Sequence, residues 1–557
     1  MKKSLLLFLS ISYCLFSCKQ SQEETPAIKN EPIVWQTYDE TEDLAGTQQL
    51  ENPRMHLKLV NSKVRDKNEI WKPVQGVLQG FSVARYKELL PQILEKDIPT
   101  LQQHIKDGAF TYEELTLFYL YRIASIESDN DRALNGVIAL NGNAVAKAQE
   151  YDRMDKNQID NYSLFGMPIL LKDNIGTAGM KTTAGAIALQ DNSTGNAFIT
   201  ERLEAENAII LGKANLSEWA YFLCTGCPVG YSAVGGQTIN PYGRLKFESG
   251  GSSSGSGVSV AANYAVAAIG TETAGSILSP SSQNSIVGLK PTIGALSRTG
   301  IVPISSTLDT PGPMTKNTID TSILYQALMG KDLADSKSVT LPTFEASEVA
   351  KGTVKGKRFG VITSFLADTL YANAIEKIKS NGGVVVEVEP EQVGLPGFLT
   401  VLNIDMKNDL PAYLKKHAGS LVTIKTVADA VVFNKQDTLL HVPYGQQLFE
   451  GIVADETTEE ALEEIKNNLE KVSRAFFDKS MDEHKLDAFL SINNYHAAYA
   501  AMAKYPALTI PMGYKTDGEP EGLTFIGKPF TEISLLQLGY GYEEISKERK
   551  LPEGYER

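Results

Sequence analysis

The sequence predicts an α/β protein: a mixed or mostly parallel central sheet flanked by helices. Two patterns carry this reading. Short apolar runs of strand length recur along the chain, and several follow amphipathic stretches of helical spacing, an alternation that builds a sheet covered by helices. A composition of 42% hydrophobic and 22% charged residues over 557 positions allows a large buried core and excludes a disordered chain.

The chain opens with Lys2 and Lys3 ahead of the short apolar stretch Ser4 to Phe16, which reads as a targeting signal too short to span a bilayer as a mature helix. Leu15-Phe16-Ser17-Cys18 resembles the lipobox of bacterial lipoproteins, which implies a signal peptide over 1–18, acylation of Cys18, and a protein held on the membrane of the cell envelope by its lipid. An ordinary secretory peptide is the alternative, but Cys18 sits where cleavage should fall. Residues 19–85 then form a polar tether, Lys19 to about Asn30, and an N-terminal extension.

Further on, Thr111-Tyr112-Glu113-Glu114 has the form of a capping box before a helix through Leu115 to Ile126. Met167 to Leu171, Ala208 to Leu211, Phe359 to Ile362 and Val384 to Val388 read as strands, with Phe198 to Glu206 and Leu370 to Ser380 as amphipathic helices. Residues 390–450 show no clear period and 455–485 are charged and helical in pattern. We therefore expect one main domain over 86–548, decorated by a variable region at about 390–485. Outside the signal the only cysteines are Cys224 and Cys227; a zinc site needs more ligands, so a local disulfide or two free thiols remain. A net charge of −14 excludes nucleic acid as the expected partner.

Seen alone, Gly250-Gly251-Ser252-Ser253-Ser254-Gly255-Ser256-Gly257 would be a flexible linker. It runs instead into the small, apolar Val258 to Ile269 and then Gly270-Thr271-Glu272-Thr273-Ala274-Gly275-Ser276-Ile277. A buried element between two Gly/Ser turns suits a backbone-lined active site, because small residues let main-chain amides approach a substrate oxygen. A serine nucleophile needs a base. The six histidines, His56, His104, His417, His441, His484 and His496, all lie far in sequence from both turns and read as surface or structural residues. Lys172 follows a hydrophobic strand in Phe165-Gly166-Met167-Pro168-Ile169-Leu170-Leu171-Lys172-Asp173-Asn174, where burial disfavours its charge.

These segments, with Val287-Gly288-Leu289-Lys290-Pro291-Thr292, Tyr505-Pro506-Ala507-Leu508-Thr509-Ile510-Pro511 and Gly522-Leu523-Thr524-Phe525-Ile526-Gly527, resemble the amidase signature family over roughly residues 90–548. The resemblance implies the amidase-signature fold and hydrolysis of linear carboxamides without metal or organic cofactor. It also implies Ser276 as nucleophile, Ser252 as bridging serine after a cis peptide bond, Lys172 as base, and an oxyanion hole from the backbone of Thr273, Ala274, Gly275 and Ser276. A neutral base demands a pKa brought down from about 10.4 towards neutrality, so activity should rise from about pH 6 to about pH 9.

Glu272, Ala274 and Leu278 stand where the family commonly has Asp, Gly and Arg, which puts the polar contacts of those side chains in doubt. The stretch from Asn215-Leu216-Ser217-Glu218-Trp219 to Asp309-Thr310-Pro311-Gly312-Pro313 is most similar to peptide amidases, which suggests a peptide amide or a small aliphatic or aryl amide as substrate. A catalytically silent amide-binding lipoprotein and an amidotransferase subunit would share this fold. The intact Lys172, Ser252 and Ser276 argue against the first, and the export signal against the second.

Overall fold

The computed structural model describes residues 30–557 apart from Gln392. The signal over 1–18, Cys18 and the tether over 19–29 lie outside the described residues. In chain order the strands are β1 (Val137–Leu140), β2 (Pro168–Lys172), β3 (Ile209–Ala214), β4 (Tyr231–Ser232), β5 (Gly236–Gln237), β6 (Ala267–Glu272), β7 (Val287–Lys290), β8 (Thr310–Thr315), β9 (Arg358–Ile362), β10 (Val384–Val388), β11 (Ala488–Ile492), β12 (Ala507–Tyr514) and β13 (Pro520–Ile526). An 11-stranded sheet runs β1-β3-β2-β6-β8-β7-β12-β13-β11-β9-β10, and β4 pairs with β5 in a separate ladder.

The sheet is mixed and flanked by helices, as expected. Its parallel pairing is concentrated in two blocks, β3-β2-β6 and β11-β9-β10. Helices make the crossovers there: Phe198–Ala205 between β2 and β3, Ser254–Ala261 between β3 and β6, and Thr369–Ser380 between β9 and β10. Between the blocks the pairing is antiparallel. At β12 and β13 the cause is local, since a tight turn closed by Lys515 N–H on the Glu519 carbonyl at 2.8 Å reverses the chain.

The four strand runs and the capping box fold as the sequence predicts. Thr111 Oγ1 accepts from Glu114 N–H at 3.1 Å, and the Glu114 carboxylate accepts from Thr111 N–H at 3.2 Å, opening the helix Tyr112–Glu127. The Gly/Ser run is no linker: its second half is the first turn of Ser254–Ala261, every residue of which is buried. A Cβ at Gly255 would meet the Asn215 backbone and the Gly136 carbonyl at 2.4 Å, so only glycine lets this helix lie against its neighbours.

Residues 390–450, which show no period in sequence, are largely helical, with helices Phe398–His417, Val427–Asn434, Thr438–His441 and Gln447–Ala454 preceding the long Glu459–His484. Phe398–His417 buries consecutive residues Val401 to Met406 as well as Leu410, Tyr413 and Leu414. A helix packed on several sides carries no one-sided apolar stripe. Phe398–His417, Val427–Asn434, Gln447–Ala454 and Glu459–His484 share a second apolar cluster with Trp219, Val302 and Leu308. The described part of the extension is also packed. Val60 O accepts from Gln237 N–H at 2.8 Å and from Asn135 Nδ2 at 3.0 Å, and the Glu40 carboxylate takes Val60 N–H and Asn61 N–H. Among the described residues no helix is long and apolar enough to cross a membrane.

Candidate active site

Three segments far apart in sequence meet where β2 and β6 end side by side. Lys172 is the last residue of β2 and is completely buried. Its Nζ donates to Ser252 Oγ at 2.8 Å, to Thr271 Oγ1 at 2.8 Å and to the Thr271 carbonyl at 3.1 Å. Asn174 Nδ2 donates to the same Thr271 hydroxyl at 3.0 Å. Among the described residues no carboxylate lies within ion-pairing distance of Lys172. Burial lowers its pKa to about 7, with the more distant Asp309 and Glu272 opposing the fall.

Ser252 follows a cis Gly251–Ser252 peptide and is wholly buried, its carbonyl accepting from Ser217 N–H at 3.1 Å. Ser253 fastens the turn to β6: its hydroxyl donates to the Thr271 carbonyl at 3.0 Å, and its N–H donates to the Ser276 carbonyl at 3.1 Å. Ser276 is therefore tied by its backbone to the residue next to Ser252, while its side chain is only half-buried.

Glu272 shapes the intervening loop. Its buried carboxylate bends forward to accept Ile277 N–H at 2.7 Å and Leu278 N–H at 3.0 Å, which resolves the doubt over its polar contacts. Leu278 instead joins the apolar cluster of Phe477 and Phe489, so position 278 is held by packing. Among the described residues, no protein group accepts from the N–H groups of Thr273, Ala274, Gly275 or Ser276. Gly275 has φ +96°, and a Cβ there would meet Asn494 Nδ2 at 2.7 Å, so the loop requires glycine at this point.

A cavity of about 270 Å³ opens beside the loop, near the lower end of small-ligand sites, about 300 Å³. Asn174, Thr271 and Thr273 form its floor, and the turn Arg298 to Ser306 and the helix Phe398–His417 supply walls. Asp309, also in the lining, accepts the Thr273 hydroxyl at 2.6 Å and the N–H groups of Ile304 and Ser305 at 2.8 and 2.9 Å. Burial pushes its pKa up to about 6.

The structure thus brings together Lys172, Ser252 and the loop carrying Ser276. Sequence reasoning assigned no part to Thr271, Asn174 or Asp309, although all three lie inside quoted motifs, Asp309 at the head of Asp309-Thr310-Pro311-Gly312-Pro313, 33 positions beyond Ser276. The histidines stay away from Lys172. His496 is buried against Ser491 Oγ at 2.7 Å and His441 stacks on Phe433, while His417 lines the outer cavity wall. Cys224 and Cys227 form a disulfide, settling that alternative.

Comparison with known proteins agrees with this geometry. The Amidase family model matches residues 114–498. A probable amidase of Arabidopsis thaliana is 34% identical over 481 residues, covering 83% of this chain and 92% of its own. A glutamyl-tRNA(Gln) amidotransferase subunit from Staphylococcus aureus is 30% identical over 459 residues, covering 74% and 90%. Among solved structures, an amidase family protein from Bacillus anthracis superposes with a TM-score of 0.84 at 34% identity, covering 89% of this chain and all of its own. The peptide amidase from Stenotrophomonas maltophilia gives 0.78 at 36%, covering 83% and 99%. Family model, full-length relatives and shared fold lead to one conclusion: the chain belongs to the amidase family and is an amidase hydrolase.

Proposed function

We propose that the protein hydrolyses linear carboxamides, C-terminal peptide amides or small aliphatic or aryl amides, through Ser276, Ser252 and Lys172. The observation that carries this reading is a completely buried Lys172 whose Nζ meets Ser252 Oγ at 2.8 Å with no carboxylate beside it. As an ammonium it fills all three donors on Ser252 and Thr271. As a neutral amine it has two N–H bonds and a lone pair that accepts the Ser252 proton.

Ser252 in turn takes the proton of Ser276 as Ser276 Oγ attacks the amide carbon. The oxyanion so formed is received by the unpartnered N–H groups of Thr273 to Ser276; losing one such donor costs about 3–4 kcal/mol in a related setting. When the C–N bond breaks, the proton returns from Lys172 through Ser252 to the nitrogen, and ammonia or an amine leaves. Water then releases the acyl group from Ser276 as a carboxylate, using the same relay. The likeness to the Stenotrophomonas peptide amidase supports a peptide amide as substrate.

Ammonia release by residues 31–557 from a panel of peptide amides and simple amides, with Ser276→Ala alongside, tests the reading. Release by wild type and not by the variant is expected; silence of a folded wild type across the panel would sink it. The lipobox-like Leu15-Phe16-Ser17-Cys18 supports an envelope lipoprotein; incorporation of labelled fatty acid that disappears in Cys18→Ser is the expected result, and persistence would refute it.

A further inference from the structure

The acids around the cleft differ in what neutralises them. Asp335 holds Arg298 in a two-pronged contact, Nε at 2.9 Å and Nη2 closer still, and the remaining Arg298 nitrogen is taken by the Ser306 carbonyl. Asp405 pairs with Lys466 at 3.0 Å. Asp309 uses its oxygens on the Thr273 hydroxyl and two backbone amides.

Asp409 lines the same cavity from the helix Phe398–His417, and one oxygen accepts from Ser306 N–H at 2.6 Å. Among the described residues, no Lys or Arg nitrogen pairs with it. Lys416, on the same helix, stands two turns away, about 10 Å along the axis, and is exposed. Partial burial, helped by the neighbouring Asp405 charge, raises the Asp409 pKa, with the Ser306 hydrogen bonds and the Arg298 charge, itself engaged by Asp335, opposing the rise. Its place is also defined. The adjacent N–H groups of Ser305 and Ser306 bind Asp309 and Asp409 respectively, and Asp309 binds Thr273 at the start of the Ser276 loop. Asp409 and Thr273 thus line one cavity and are joined through Ser306, Ser305 and Asp309.

We propose that Asp409 is a cation-accepting subsite, and that the enzyme selects carboxamides whose acyl part carries an organic ammonium group. This rests on the amide-hydrolysis reading above and names its substrate class. A ligand ammonium gives the half-buried carboxylate the partner that the protein withholds, and lies where water only partly screens the pair.

The test compares glycyl-leucinamide, N-acetyl-glycyl-leucinamide and N-acetyl-lysyl-leucinamide on wild type and Asp409→Asn, in which the side chain can still accept from Ser306 N–H. In wild type, kcat/KM for a cationic substrate should exceed that for the neutral one by about tenfold, and the ratio should collapse towards one in Asp409→Asn. Preference for the first amide identifies an α-ammonium, and preference for the third a basic side chain. No preference in wild type, or one that survives in Asp409→Asn, overturns the subsite. Calorimetric binding of the same amides to Ser276→Ala, with and without Asp409→Asn, separates this from the catalytic reading. A cation preference in binding that vanishes with Asp409 upholds the subsite even if wild type cleaves nothing, an outcome that would sink amide hydrolysis alone; equal binding of all three overturns the subsite.

Discussion

Lys172 and Lys213 lie on neighbouring parallel strands, and both are wholly buried. Burial lowers both pKa values, to about 7 and about 8. Their partners separate them. Lys213 Nζ sits 3.5 Å from the Asp173 carboxylate and donates to Thr182 Oγ1 at 3.1 Å and to the Ile175 carbonyl. Lys172 meets two hydroxyls and a carbonyl. A carboxylate rewards the ammonium, whereas a hydroxyl serves equally as acceptor for an ammonium or donor to an amine. Burial alone does not make a base; the absence of a counter-charge does. Lys213 is thus read as one half of a structural ion pair and Lys172 as the proton acceptor.

Substitution by methionine is the sharpest way to break the comparison. Lys172→Met should lower kcat/KM for amide hydrolysis by about a thousandfold or more while the protein melts nearly normally, since it removes a buried amine with no ionic partner. Lys213→Met takes the ion-pair partner from buried Asp173, leaving it the Thr183 hydrogen bonds and the more distant Arg65, and should cost about 3–5 kcal/mol in a denaturation experiment. Retained activity in the first, or retained stability in the second, would erase the distinction.

The pH profile sharpens it. Only neutral Lys172 has a lone pair, so kcat/KM should climb as pH rises through about 7, the value to which burial brings this lysine, and then level off. The Asp309 charge favours the ammonium and holds that pKa up. Asp309→Asn should therefore move the rising limb to lower pH; a limb that stays in place, or moves up, would remove Asp309 from the field of Lys172.

Much of this was legible in the sequence. Strand-length runs located β2, β3, β9 and β10, and Thr111 with Glu114 marked a helix start, because local pattern and tertiary packing agree there. Lys172, Ser252 and the loop from Thr273 to Ser276 could be named because each lies in a compact motif. What escaped depends on contacts between segments. The helix Phe398–His417 is apolar on several sides and so gives no period, Asp409 has no neighbours in sequence that announce a site, and Asp309 lies in a quoted segment that does not say which loop its carboxylate holds. Even the buried Lys172 and Lys213 look alike as Leu-Lys-Asp-Asn and Gly-Lys-Ala-Asn; only folding shows which has a carboxylate.

Smaller effects probe the supports of the site. Glu272→Gln keeps an oxygen for Ile277 and Leu278 N–H but loses the charge that strengthens both bonds. Catalysis should fall by about tenfold through a looser loop over Thr273 to Ser276, the proposed oxyanion hole, seen in kcat with KM little changed; an unaltered kcat would mean packing of Leu278 holds the loop by itself.

The smallest effect on turnover is expected at the disulfide. Cys224 and Cys227 close a loop over only Thr225 and Gly226, so cross-linking removes little freedom from the unfolded chain, about 2 kcal/mol. The surrounding segment has other anchors: Tyr221 hydroxyl donates to the Cys227 carbonyl at 2.8 Å, and Gly230 N–H donates to Ser217 Oγ at 2.8 Å. Ser217 itself binds the Ser252 carbonyl, which couples this segment to the site independently of the sulfurs. Reduction, or Cys224→Ser with Cys227→Ser, should lower the melting temperature slightly and leave amide hydrolysis nearly unchanged. A large loss of turnover at constant stability would instead make the 224–227 loop part of the wall that Ala220 contributes to the cleft, and the contrast between a chemically poised Lys172 and a merely structural periphery would have to be redrawn to include it.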